Sequence, residues 1–236
     1  MRFGRTILLT TFISILAIMA GCTQGTSEAR LAQIDSLLER KLYDSARAEL
    51  SRIAPSDLKS EEDIAHYNLQ KTNLCFRNGE VLPNDSMIDI SIKHYRQNGD
   101  KQKLALSLYI KGRLQHKRNE TKNALRNLLE AAGIAKETDD DALKAKIYAN
   151  LAYFNKRLGE NRYALQHIKQ ALIYAEKIKY DKDIIIPDIY MQASDIYGNL
   201  KDTANAIAYI EKCIPYIEHT DSFGKANIYS GLANIT

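Results

Sequence analysis

The feature that most constrains this chain is a spacing. Leu108, Tyr148, Tyr190 and Tyr229 stand 40, 42 and 39 residues apart, and four residues after each comes a small one: Gly112, Ala152, Ser194 and Ala233. Twelve further on are Ala124, Ala164 and Ala206, then Leu128, Ile168 and Ile210, then Ala131, Ala171 and Cys213. A large residue with a small one a helical turn later, followed by a small–large–small set, is what two antiparallel helices need. Their backbones approach closely only where the crossing side chains are small, and larger neighbours fill the flanking gaps. With only 4 prolines and 11 glycines in 236 residues, helix is favoured throughout. The expected class is all-α.

These residues resemble the tetratricopeptide repeat, in register over 104–218 and in a degenerate form over 28–99. The resemblance implies a right-handed superhelix, an α-solenoid of antiparallel helix pairs, acting as a non-enzymatic scaffold. A peptide or partner protein would lie in its concave groove, lined by each unit's first helix. On that implication the first unit offers Tyr109, Arg113, His116 and Lys117, and the second Lys146, Asn150, Tyr153, Lys156 and Arg157. The third offers Asp188, Met191, Asp195 and Asn199. Basic groups with two tyrosines suit an acidic extended peptide, because guanidinium and ammonium groups pair with carboxylates and tyrosine packs with little entropy loss. The alternative is a solvated surface, since charge runs on helices are common. Gln115 and Asn155 depart from the family's tyrosine, which Tyr197 supplies. The lysine and asparagine clamp of chaperone-binding relatives is not reproduced, so recognition of a C-terminal carboxylate is not implied.

The N-terminus carries a localisation signal. Arg2 and Arg5 precede an apolar run at 7–20 that is too short for a ~30 Å hydrocarbon core and fits a secretory leader. Met19-Ala20-Gly21-Cys22 resembles the lipobox of bacterial lipoproteins, apart from the methionine where leucine is usual. That resemblance implies a leader at 1–21, cleavage before Cys22, acylation of Cys22 and a polar tether over 22–27. No aspartate follows Cys22, so the expected place is the cell envelope, as an outer-membrane lipoprotein facing the periplasm. Of 33 basic residues two lie in the leader, leaving 31 against 29 acidic ones. That near-neutral balance excludes a nucleic-acid binder.

Along 28–99, Leu31, Ile34, Leu37 and Leu38 form one apolar stripe. Asp44-Ser45 is the expected cap of a second helix carrying Ala46, Leu50 and Ile53, closed by Pro55. A helix over 60–76 is expected to bury Ile64, Tyr67, Leu74 and Cys75; Asn78-Gly79 stops it, and Asp85-Ser86 caps the next. Helix starts are marked by Asp100, by Thr138 ahead of the three aspartates Asp139, Asp140 and Asp141, and, for the segment 220–236 that follows the three helix pairs of 100–219, by Thr220-Asp221; the acids sit where the helix dipole favours negative charge. Turns at 117–121, 158–161 and 200–203 align with one another. Pro187 is expected in the first turn of its helix and Pro215 should shorten the next. Segment 220–236 matches the first helix of a further, incomplete unit and exposes Tyr229, Leu232 and Ile235. It is either cut from a longer chain or a face for a partner or for self-association through the C-terminal helix.

Nothing here spells catalysis. His66, His94, His116, His167 and His219 are dispersed without metal-ligand spacing, and Cys75 and Cys213 lie too many units apart for a disulfide. Neither a phosphate loop nor a nucleophile elbow is present. The expectation is no catalytic residue, no metal and no cofactor. A second expectation from another class is the sensory half of a longer envelope signalling protein.

Overall fold

The computed structural model describes residues 27–178, 182–219 and 222–233; the leader, Cys22, Thr220-Asp221 and Ile235 lie outside them. All regular structure among the described residues is helical: α1 (Ser27–Glu39), α2 (Tyr43–Ser51), α3 (Glu61–Arg77), α4 (Ser86–Asn98), α5 (Lys101–Lys117), α6 (Thr121–Ala135), α7 (Asp141–Arg157), α8 (Asn161–Ala175), α9 (Lys182–Asn199), α10 (Thr203–Glu211) and α11 (Ser222–Ala233). The described residues fall into two compact units divided between Leu74 and Cys75, whereas the spacing of the sequence changes at 99/100.

In the first unit, Leu31, Ile34 and Leu38 of α1 pack on Ala46, Leu50 and Ile53, with Leu74 closing the cluster. The expected cap of α2 is not made. The helix starts one residue earlier, at Tyr43, and Asp44 sits in its first turn with no side-chain cap bond. A reciprocal cap opens α3 instead: the Asp63 amide donates to Ser60 Oγ at 3.0 Å and the Ser60 amide to Asp63 Oδ2 at 3.3 Å. Ile64, expected inside, is 37% exposed, while Asp63, His66 and Gln70 are buried beside Ala65 and Leu69. Hydrogen bonds make this polar burial tolerable. Asp35 lies 2.9 Å from His66 Nε2 and accepts from Gln70 Nε2. Burial alone would raise the Asp63 carboxyl, but bonds from Ser27 and from the Lys59 and Ser60 amides hold it below its ordinary value.

In the second unit each first helix packs on its own second helix (α5 on α6, α7 on α8, α9 on α10), and each second helix on the first helix of the next pair. The small positions sit where the helices cross. A Cβ on Gly112 would stand 3.0 Å from Leu128 Cγ and 3.1 Å from the Ala124 carbonyl, and Ala152, Ala164, Ile168 and Ala171 are all fully buried. In the third pair a hydroxyl serves, with Ser194 Oγ donating to the Ala206 carbonyl at 2.8 Å. Cys213, free and fully buried, replaces alanine; burial, with Asp188 nearby, pushes its thiol up to about 12. Cys75 is only half-buried.

The turns repeat to the atom. Asn119, Gly159 and Lys201 have φ of 64°, 79° and 61°. Behind them the Glu120, Glu160 and Asp202 amides donate to the Gln115, Asn155 and Tyr197 carbonyls at 2.9, 2.9 and 3.0 Å. This is a Schellman closure, and it uses a backbone carbonyl. Gln115, Asn155 and Tyr197 supply the same carbonyl with different side chains. The α1–α2 turn closes likewise through Lys41 and the Leu42-to-Leu37 bond. Asp100 caps α5 as expected, but α7 is capped by Asp140 rather than Thr138, whose hydroxyl bonds back to the Ala135 carbonyl. Pro187 is the sixth residue of α9, just past its first turn. Pro215 does shorten its helix: α10 has 9 residues against 15 in α6 and α8, and a 3-10 segment over Ile214–His219 follows.

Asp85 also departs from expectation. It makes no cap bond to α4, and Asn84 Oδ1 accepts from the Ser86 amide instead. Asp85 straps the 78–85 loop to α5, accepting from Gln115 Nε2 at 2.6 Å and from Arg118 Nη2 at 2.5 Å. Arg118 also reaches the Leu82 carbonyl and Glu120. Asp85→Ala should therefore destabilise the chain by about 1–3 kcal/mol, since it leaves two enclosed donors without their acceptor. Gly112→Ala should cost about 1–3 kcal/mol through overpacking at the crossing. Gly133→Ala, where no atom lies within 4 Å of the added Cβ, should stabilise by about 0.5–1 kcal/mol. Denaturant unfolding of the three variants reads all of these signs.

Candidate binding face

The residues expected to line a groove come from α5, α7 and α9. Because α5 and α7 keep a common phase on their second helices, residues at equivalent positions fall side by side. Arg113 Nη1 donates to the Tyr109 hydroxyl at 3.3 Å, and one unit on, Arg157 Nη1 donates to the Tyr153 hydroxyl at 2.9 Å. Each guanidinium also lies over its tyrosine ring, 6.0 and 5.7 Å from the centroid. Phe76, at the end of α3, joins them through no repeat signal. Its ring sits edge-on to Tyr109 at 6.5 Å, with Arg113 and Lys117 5.2 and 5.3 Å from its centroid. Lys117 also donates to the Phe76 carbonyl at 3.3 Å.

His116 lies between the two arginines. Its ring meets Tyr153 at 5.6 Å and Phe154 at 4.8 Å, both edge-to-face, and its Nδ1 is enclosed without a hydrogen-bond partner. The structure thus brings Arg113, His116, Lys117, Tyr153 and Arg157 together. Tyr109 is there too, but is buried at 7% exposure, so it supports Arg113 and offers little surface. Asn150 Nδ2 is turned back onto the Lys146 carbonyl at 2.7 Å. Lys156 is drawn away to Asp195 of α9 at 2.7 Å. Asp188 and Asn199 are exposed and Met191 is half-buried.

A cleft lies elsewhere, with Tyr148 and Leu151 of α7 in its lining. It encloses about 310 Å³ and opens between α6 and α8, lined also by Leu129, Ala132, Gly133, His167 and Gln170. One unit on, Leu172, Tyr209 and Lys212 narrow the equivalent space to about 60 Å³. There Lys212 lies 4.6 Å over the Tyr209 ring. Among the described residues no group of three or more His, Cys, Asp or Glu is placed to hold a metal ion, and no helix is long and apolar enough to cross a membrane.

Burial first, then the charges of Arg113 and Arg157, hold the His116 imidazole below its ordinary value of 6.5. Burial does the same for His167. As pH falls below 6.5 the unfolded chain takes up these protons before the folded one, so this part of the stability is full above 6.5 and declines towards the folded values. His116→Gln and His167→Gln should each flatten the loss of urea midpoint between about pH 7.5 and about pH 5.

A family model described as tetratricopeptide repeat matches residues 187–215, which hold most of α9 and all of α10. A search of curated proteins finds no match. Solved structures of similar fold include the apo form of RapI, with a TM-score of 0.64, 17% identity, and 94% of this chain aligned to 63% of that one. BtubC (BKLC) from P. vanneervenii aligns with a TM-score of 0.59, 15% identity, and coverage of 80% and 76%. The apo quorum sensor NprR from B. thuringiensis gives 0.57, 13%, 97% and 75%. At these identities the likeness is one of fold, a run of paired helices. This chain spans less than two thirds of RapI's length.

Proposed function

We propose that this chain is a non-enzymatic scaffold that holds a peptide or a segment of a partner protein on the α5–α7–α9 face. The observation that carries the reading is that face itself. Its helices stand in register, and α5 and α7 present an aromatic and cationic surface whose side chains are pre-positioned by one another, which lowers the ordering cost of binding. NprR, which shares the fold, has been solved in complex with its cognate peptide NprX, so a fold of this kind can hold a peptide.

The same proposal includes a lipid anchor at Cys22, with the chain in the cell envelope, at the outer membrane and facing the periplasm. The support is the sequence alone: the basic start, the apolar run and Ala20-Gly21-Cys22. More than one acyl chain gives stable anchoring, and a tethered scaffold meets neighbouring partners at raised effective concentration.

Crosslinking of the full chain in intact cells tests both halves. A photoreactive residue at position 153 should capture one dominant polypeptide. The same residue placed at 163, on α8, should not. Cys22→Ala should release the protein from the membrane fraction and reduce capture. Equal capture from both positions means that the α5–α7–α9 face is not the binding surface.

A further inference from the structure

Within the α5–α7 surface the charges are distributed unevenly. Lys101, Lys103 and Lys111 of α5 are each paired, with Glu137 at 2.5 Å, Asp100 at 3.8 Å and Asp89 at 2.6 Å. On α7, Lys144 is paired with Asp141 at 3.0 Å and Lys156 with Asp195 at 2.7 Å. Arg113, Lys117 and Arg157 have no carboxylate partner among the described residues. Their contacts are aromatic rings, two tyrosine hydroxyls and one backbone carbonyl. Arg113 and Arg157 flank the His116 imidazole and Lys117 shares the Phe76 ring with Arg113, so the three cations repel one another, and no carboxylate among the described residues pairs with them. The rings and hydroxyls nevertheless hold them in place, where exposed lysines and arginines without partners would ordinarily sample many rotamers.

The repeat itself indicates what completes such a group. Arg113, Tyr153 and Asp195 occupy the same position in successive units, 40 and 42 residues apart. At the junction of the second and third units the side chain there is a carboxylate, and it neutralises the lysine of the preceding helix. At the junction of the first and second units that place is taken by Tyr153, which packs on His116, so the cations around it lack the acid their successor has.

We propose that Arg113, Lys117 and Arg157 form a subsite for the side-chain carboxylate of an acidic residue in a bound polypeptide, which rests on the reading of this face as a polypeptide-binding surface. The carboxylate would accept from the guanidinium groups, for which such charge-assisted bonds are strong and directional. The edges of Phe76 and Tyr153 would shield the pair from water. An anion placed there also relieves the repulsion that now disfavours a proton on His116.

The test is calorimetry of the full chain with two capped peptides that differ only in carrying glutamates or glutamines, with inorganic phosphate as a third probe. The acidic peptide should bind roughly tenfold more tightly than its amide twin, about the margin of one well-made charge-assisted contact. Arg113→Gln with Arg157→Gln should abolish that margin, and Arg113→Lys with Arg157→Lys should recover part of it. NMR titration should show the His116 imidazole moving to higher pKa when the acidic peptide is bound, which a loss of folding would not produce. Equal affinity for the two peptides, a margin that survives in the double glutamine variant, or no binding of either peptide overturns the subsite. An arginine-dependent response to phosphate with none to the peptide also overturns it, in favour of a free-anion site. If the subsite fails while residue 153 still captures a polypeptide in cells, the scaffold reading stands without it.

Discussion

Everything in the 75–236 unit depends on how closely the two helices of a pair can approach. At the first pair a methyl group would be tight: the Cβ that Gly112 lacks would press on Leu128 and on the Ala124 carbonyl. Dispersion falls off steeply with separation, so a pair that closes to backbone contact gains along its whole length, whereas one held apart by a single side chain loses the packing on either side. The same crossing is made by Ala152 on Ala164 and Ile168, and by a hydroxyl bond between Ser194 and Ala206. Once these crossings are fixed, the rotation of α5, α7 and α9 about their axes is fixed too. So is the set of side chains facing away from the second helices.

The last described helix shows the rule from the other side. Ile228 is fully buried against Ile210, Cys213 and Ile217, with Leu232 half-buried on the same cluster. Tyr229, at the position that meets a pair's own second helix, is 57% exposed. The sequence expectation that Leu232 would be exposed therefore fails for a simple reason. A first helix has two contact stripes, one for its own partner and one for the preceding unit, and Leu232 belongs to the second. Glycine at 231 makes that approach possible, lying close on Ile210.

How much could be read from the sequence follows from which interactions are periodic. Crossing residues, turns and the shortening at Pro215 recur at a fixed spacing or follow from one residue's backbone chemistry, and they were legible. Caps were read less well, because several acids compete at each helix start and only geometry selects Asp140 over Thr138 or Asn84 over Asp85. The buried face of α3 was misread at Ile64, since Asp63, His66 and Gln70 are taken inside by partners 31 to 36 residues away that no local pattern marks. On the candidate face the repeat positions named Arg113, His116, Tyr153 and Arg157, which the structure places together. The repeat could not identify Phe76, which arrives from outside the regular units. Nor could it show that Tyr109 is buried and that Lys156 is already paired.

That last distinction separates a charged surface from a charged site. A cation in an ion pair with its own chain has little to offer a ligand, since the ligand's acid must displace one already present. Lys111, Lys144 and Lys156 are in that position. Arg113, Lys117 and Arg157 are not: Arg113 and Lys117 are half-buried against Phe76, and Arg157 is exposed beside Tyr153. The folded chain thus carries a local repulsion that mutation to neutral residues would remove, with His116 held neutral at its centre. Such a cluster lowers stability slightly wherever it has no occupant. Under the proposed subsite, relief of that repulsion would add to the affinity for a group that supplies negative charge. The small crossings fix the helix axes, so the charges can separate only by side-chain rotation, and in the proposed subsite a bound carboxylate would relieve them without it.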